Sequence, residues 1–498
     1  MNGFRIFPIL FLAFSTFLAA DTRPNILYIF TDDQSIRTVS SYTEAQPWIE
    51  TPNLDRLADQ GLRFRFCYTG AKCVPSRGNA LTGLFQHNYD RETAYWPTHF
   101  RANGYYTGMI GKWHWSLPRY KTAWDWSAVW EHHLPRPPGV PKNNYYWNQS
   151  LRMHGEELVK LEQYSTDAYT DLTIEFLKER AEEPDQPWFF WLCYGAVHGP
   201  YTPADRHIGA LSDAPEMDYP TDMWPPRPDK PEHMVDLVMM EPHPETGKPM
   251  KRYSSLDEMV KMYHEAVMAV DEGVGRIMEA LEETGQLENT LVVFTSDQGY
   301  AMGQHGFTLK VAPYDANLLA PLLVRWPGKI PADTCTSVPV NGVDLIRTFH
   351  SIAGIEPSMR LDGRDLSDLM FRPQSRNWDE EPVLQTYFGT LYGGEPLIIE
   401  ELKKARETGD WSAFITHKTG IRAWLMVRQG KFKYIRYVYE DYLDELYDMD
   451  ADPEELHNLA VRPEYHEIKM EMRALLSSEL ESRGARFLPL LPEPKQRY

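Results

Sequence analysis

Asn25-Ile26-Leu27-Tyr28-Ile29-Phe30, running into Thr31-Asp32-Asp33-Gln34, decides the fold of this chain of 498 residues. From Ile26 on, the run is unbroken in its apolarity and of strand length, which suits a strand covered on both faces in a parallel sheet. It ends abruptly on acids. Thr290-Leu291-Val292-Val293-Phe294 repeats the pattern and closes with Thr295-Ser296-Asp297-Gln298-Gly299. Ligands of such sheets gather at the carboxyl ends of the strands. An acid after one strand is more often a cap or a turn residue. Three carboxylates and an amide from two buried strands form an oxygen-only set suited to a hard divalent cation, calcium before magnesium. Neither tip holds a His or Cys, which argues against zinc.

Two further apolar runs end on basic residues. Tyr105 to Ile110 leads into Gly111-Lys112-Trp113-His114, and Trp188 to Tyr194 leads into Gly195-Ala196-Val197-His198-Gly199-Pro200. At alternate positions of an extended segment Lys112 and His114 would point the same way and reach one anion. Thr51-Pro52-Asn53-Leu54-Asp55 starts a helix that stops at Gly61. Cys73-Val74-Pro75-Ser76-Arg77, followed by Gly78 to Gly83, also reads as a helix start. There the thiol would face backbone N–H groups that favour an anion. Beyond about Asp379 the character changes: Trp424 to Ile435 reads as two strands around Gly430, and an amphipathic helix spans about Pro463 to Ser482. The expected fold is α/β, a large domain with a mostly parallel central sheet flanked by helices. A smaller C-terminal domain adds a short antiparallel sheet and a helix. The expected division is a signal peptide over 1–20, a catalytic domain over 21–378 and the smaller α+β domain over 379–498.

Charge and cysteine count narrow the function. A formal net charge of −20 argues against a nucleic-acid binder and requires that cations for any anionic substrate be concentrated in the pocket. Met1 to Ala20 carries Arg5, a short apolar run and Ala19-Ala20, the pattern of an export signal, with no cysteine after it for a lipid anchor. No later run is long enough to cross a membrane, so a periplasmic or secreted protein without a membrane anchor is expected. Cys67, Cys73, Cys193 and Cys335 allow at most one disulfide if Cys73 is modified.

Cys73-x-Pro75-x-Arg77 with Thr82-Gly83, together with Gly111-Lys112-Trp113-His114, resembles the signature of the formylglycine-dependent sulfatases of the alkaline phosphatase superfamily. Asp32, Asp33, Asp297 and Gln298 match that family's four calcium ligands, with glutamine where asparagine is commoner. The likeness spans nearly the whole mature chain, with gaps at about 120 to 160 and 205 to 250. It implies that a separate maturation enzyme oxidises Cys73 to formylglycine, whose hydrate attacks sulfur beside one calcium ion that it also ligates. It also implies roles for the other site residues. Arg77, Lys112 and Lys310 hold the sulfate, and Asp297 takes a proton from the nucleophile. His198, assisted by Lys310, protonates the leaving oxygen, and His114 restores the aldehyde. His305 is expected to brace the loop bearing Lys310.

A sulfated poly- or oligosaccharide is the substrate class expected from this resemblance, with a phosphodiesterase or phosphonate monoester hydrolase of the same superfamily as the alternative. The gaps hold the residues expected to set specificity. Trp113, Trp115, Trp124, Trp126, Trp130, Tyr145, Tyr146 and Trp147 lie with His132, His133 and Arg136 in a dense aromatic stretch. Such faces suit a sugar, and they equally suit packing. The Pro-rich segment Pro220 to Pro249 is expected to be a loop forming one wall of the pocket. The Pro321 to Gly328 run is expected to shape the sheet edge.

Overall fold

The computed structural model describes residues 23–90, 92–114, 119–130, 145–251, 254–375, 377–378, 380–417 and 419–495. The expected signal peptide and Trp115, His132, His133 and Arg136 lie outside the described residues. Ten strands form the main sheet: β1 (Asn25–Thr31), β2 (Leu62–Phe64), β3 (Tyr106–Lys112), β4 (Trp126–Trp130), β5 (Ser150–Met153), β6 (Glu157–Lys160), β7 (Trp188–Cys193), β8 (Thr290–Ser296), β9 (Leu322–Arg325) and β10 (Thr334–Thr336). Their order across the sheet is β10-β2-β9-β8-β1-β7-β3-β4-β5-β6. The central strands β8, β1, β7, β3 and β4 run parallel, and the antiparallel pairs lie toward the two edges.

The apolar runs do what their continuity demands. Along β1, Leu27 and Ile29 enter one core while Ile26, Tyr28 and Phe30 enter the other. In β8, Val292 and Phe294 face the first core, Leu291 and Val293 the second. Six helices cover these faces: α1 (Pro52–Asp59), α2 (Cys73–Thr82), α3 (Trp96–Ala102), α4 (Ser165–Ala181), α5 (Leu256–Glu283) and α6 (Gly342–Ile352). Leu54, Ala168 and Val270 place α1, α4 and α5 on the first face, and Leu81, Phe100 and Phe349 place α2, α3 and α6 on the second. The first core is also where most of the aromatic stretch belongs. Trp113, Trp124, Trp126, Trp130 and Tyr146 are buried in one core or the other, which decides their role as packing.

A second sheet of four antiparallel strands, β11 (Val383–Tyr387), β12 (Trp424–Gln429), β13 (Phe432–Tyr437) and β14 (Glu445–Asp448), follows in the C-terminal part with α7 (Gly394–Thr408) and α8 (His466–Ser482). One face of this sheet makes a third core with both helices through Leu425, Val427, Leu402 and Leu476. The other face, with Trp424, Met426 and Tyr437, packs into the first core. A buried ion cluster joins the two parts: Lys433 reaches Asp315 at 2.6 Å and Glu455 at 2.7 Å.

One expectation is corrected. The strand after Pro321 is β9, which sits between β8 and β2, inside the sheet. The Pro-rich segment is a loop for most of its length, as expected, broken by a short helix, Glu232–Val235, and a small hairpin, and it buries Arg227 and Lys230. All four cysteines are free thiols, within the limit of one disulfide; Cys335 is exposed and the others are buried.

Candidate active site

Four adjacent parallel strands end at one place, and their order sets the order of the functional side chains. β8 delivers Asp297 and Gln298, β1 delivers Asp32 and Asp33, β7 leads to His198, and Lys112 closes β3. Main-chain bonds knit these tips together. Asp32 donates its N–H to Ala196 at 2.9 Å, Val197 donates to Asp32 at 2.8 Å, and Asp297 donates to Thr31 at 3.1 Å. Asp33 takes the left-handed conformation, φ 63°, and its N–H donates to Asp297 Oδ1 at 2.9 Å.

The head of α2 points into this cluster. Cys73 is its first residue, and the N-cap Lys72 makes no side-chain cap, so the first-turn amides are offered to whatever sits beside the thiol. Gly83 closes the helix at φ 69°. Cys73 Sγ lies 3.2 Å from Asp32 Oδ1, 3.6 Å from Asp33 Oδ1 and 2.7 Å from Lys310 Nζ. Arg77, one turn on and fully buried, donates to the Lys112 carbonyl at 2.9 Å and pairs with Asp297 Oδ2 at 3.2 Å. Lys112 pairs with Asp32, and Lys310 with Asp33. The Asp32, Asp33, Cys73 and Asp297 donor atoms all lie within 4.8 Å of one another, a convergence that fits a cation. The donors are hard oxygens apart from the thiol, which as a hydrated aldehyde would offer oxygen as well.

Three carboxylates and three cations balance in this space, so a divalent cation would make the site net positive and receptive to an anionic ester. The cluster perturbs its own members. Burial and then Asp32 push Asp297 up to about 8. Burial also pushes Asp32 up, yet Lys112, His198 and Arg77 outweigh it and hold that carboxyl well below its usual range. Burial, with Asp297 and Asp32 beside it, raises the Cys73 thiol well above normal, so the unmodified residue is a poor nucleophile.

His198 stands at the mouth, its Nε2 3.8 Å from Asp33 Oδ2 and its Nδ1 2.8 Å from the Gly199 carbonyl. A carbonyl only accepts, so Nδ1 carries the proton and Nε2 faces the cluster. Burial lowers its basicity, against the pull of Asp33. Two expectations change. The strand stops at Lys112, and His114 follows at φ 48° after Gly111 at φ 98°, so the pleat expected to align Lys112 and His114 ends before His114. Gln298 reaches Asp33 with its amide nitrogen, while Oε1 lies 3.5 Å from Ser76 Oγ. The amide must be turned over for its oxygen to face the cluster. His305 braces as expected, its Nδ1 2.6 Å from Asp222 Oδ2. Asp222, within the Pro-rich segment, left no signal in the sequence.

A family model described as sulfatase matches residues 24–355, more than half of the chain. The chain belongs to the sulfatase family. A second model, N-sulphoglucosamine sulphohydrolase, C-terminal, matches residues 404–482 of this sulfatase. N-acetylglucosamine-6-O-sulfatase of Bacteroides thetaiotaomicron is 28% identical over 91% of this sulfatase and 86% of that protein. A solved structure in complex with its substrate D-glucosamine-2-N,6-O-disulfate superposes with a TM-score of 0.77 at 24% identity, covering 96% of this sulfatase and 100% of that chain. Phosphonate monoester hydrolase of Agrobacterium radiobacter shares the fold at a TM-score of 0.64 and 20% identity, over 92% and 96% of the two chains. This sulfatase is a sulfuric ester hydrolase.

Proposed function

We propose that the protein releases sulfate from glycosaminoglycan-type carbohydrates, using Cys73 converted to formylglycine and one calcium ion held by Asp32, Asp33, Asp297, Gln298 and the modified residue 73. The seat of Cys73 carries this reading: a side chain at a helix head, 2.7 Å from Lys310 and 3.2 Å from Asp32, with Arg77 behind it. When present, the hydrated aldehyde supplies an oxygen nucleophile and the cation supplies Lewis-acid polarisation of the sulfate oxygens. Arg77, Lys112 and Lys310 bind those oxygens and offset charge that grows in the transition state. Asp297 accepts the proton of the attacking hydroxyl. His198, its Nδ1–H held on the Gly199 carbonyl, takes up a second proton at Nε2 and passes that proton to the leaving sugar oxygen. His114 takes a proton as the aldehyde is restored. The carbohydrate class is supported by the names of the N-acetylglucosamine-6-O-sulfatase relative and the disulfated-glucosamine complex.

The same reading makes residues 21–378 the catalytic unit and 379–498 the smaller domain of an exported protein, periplasmic or secreted, that meets its maturation enzyme before folding. The test is to co-express the protein with a formylglycine-generating enzyme and to read residue 73 by mass spectrometry. Released sulfate is then measured on glucosamine oligosaccharides bearing 6-O-sulfate, and on nitrophenyl sulfate and phosphonate esters. Turnover of the sulfated sugar by aldehyde-bearing protein, lost to a chelator and restored by calcium, is expected. An intact thiol in fully active protein ends the formylglycine reading, and preferred turnover of the phosphonate ester would favour the other branch of the superfamily.

A further inference from the structure

Tyr145 touches two of the groups just assigned, and neither the family signature nor the metal cluster accounts for it. Its ring lies flat on the His198 imidazole, centroids 4.0 Å apart and planes 2° from parallel. Its hydroxyl lies 3.4 Å from Lys112 Nζ, and that ammonium sits 5.0 Å from the ring centroid. The residue is itself held firmly. Trp130 packs edge-on against the ring at 4.8 Å, and the Tyr145 carbonyl accepts from Gln149 Nε2 and from Ser165 Oγ, both at 2.9 Å. Its neighbour Tyr146 donates its hydroxyl to the His198 carbonyl at 2.6 Å, fixing the main chain of the same histidine. Gly195 leaves room for this packing, since a Cβ there would stand 3.1 Å from Trp130 and 3.3 Å from the Tyr145 carbonyl.

Resting on the proposed function, we infer that Tyr145 is a positioning residue with two separable jobs: its ring sets the plane in which His198 presents Nε2 to the leaving oxygen, and its hydroxyl steadies Lys112 on the sulfate. A histidine with one face pressed on a phenol can pivot only in its own plane. The Gly199 carbonyl then fixes that pivot. The two jobs act on different parts of the ester. Lys112 acts on the sulfate, which every substrate shares. His198 acts on the leaving group, whose need for a proton grows as it becomes more basic.

Tyr145→Phe keeps the ring and removes the hydroxyl, so it should lower kcat/KM by about threefold on sugar sulfate and nitrophenyl sulfate alike. Tyr145→Leu removes the flat face and should cost the sugar sulfate about tenfold more than the nitrophenyl ester, which needs little proton transfer. In a His198→Ala background the Leu variant should add no further selectivity between the two esters. Aldehyde content and thermal midpoint, measured on every variant, identify any loss that reflects misfolding, and the Phe variant keeps the test open if Leu fails to fold. Equal losses on both esters in the Leu variant, or selectivity that persists without His198, overturn the assignment of Tyr145 alone. A wild-type protein inert toward both esters overturns the proposed function first.

Discussion

At the scale of the residue, Arg77 shows how little freedom the site allows. Its guanidinium spans a main-chain carbonyl on β3 and a carboxylate on the β8 tip, and every part of it is buried. An ammonium is a single point and cannot hold both at once. Arg77→Lys should therefore lower kcat/KM by roughly a hundredfold or more, the scale of losing one preorganised donor. It should also cost about 1–3 kcal/mol of stability, read by urea denaturation, because one buried acceptor loses its partner. The acids of the proposed site were legible in the sequence since each follows an unbroken apolar run. His114 was only partly legible, because its expected direction came from a pleat that the positive φ values at Gly111 and His114 end. Tyr145 was visible only as a member of an aromatic stretch. Spacing does not separate a ring packed on the His198 imidazole from the buried tryptophans beside it.

At the scale of the element, the approach of β3 to β7 depends on the absence of one side chain. A Cβ on Gly111 would stand 1.9 Å from the Cys193 carbonyl oxygen, at a φ of 98° that L-residues rarely adopt. Gly111→Ala should destabilise the fold by at least about 2 kcal/mol in chemical denaturation and displace Lys112 with it. In the C-terminal part, Asp444 leads into β14 with its carboxyl pushed up to about 6 by burial, against the pull of Arg473. Between about pH 4 and 6 the folded chain keeps that proton while the unfolded chain has released it, so stability falls as pH rises through this window. Asp444→Asn carries no such penalty. Its stability relative to wild type should rise between pH 4 and 7 by up to about 3 kcal/mol, measured as the shift in urea midpoint.

Across the whole molecule, the same linkage runs in the opposite direction for histidine. Burial holds His87, His233 and His264 neutral, each lowered to about 3. The unfolded chain takes up protons below about pH 6.5 that the folded chain refuses, so stability drains away on acidification from neutrality. Each of these histidines should contribute up to about 2 kcal/mol less stability at pH 5 than at pH 7, read as the change in urea midpoint that wild type shows and a His264→Gln variant does not. A His264→Gln variant whose profile over that range parallels that of the wild type would show that this imidazole is reached by solvent. The two-sided central sheet was legible because its strands are continuously apolar. The joint between the two parts was not, because Lys230, Lys433, Asp315 and Glu455 are residue types that ordinarily sit in water. They are buried only because each meets an opposite charge or an aromatic hydroxyl from a segment far away in the chain.

The loop that carries Lys310 is not self-supporting. Trp424, on β12, donates its indole N–H to the carbonyl of Val311 at 2.9 Å, one residue past the lysine that touches Cys73. A gene interrupted after codon 380 would still encode every side chain assigned to the chemistry. Its product should be inert, because the last quarter of the polypeptide is the jig on which one of the arms proposed to grip sulfate is set.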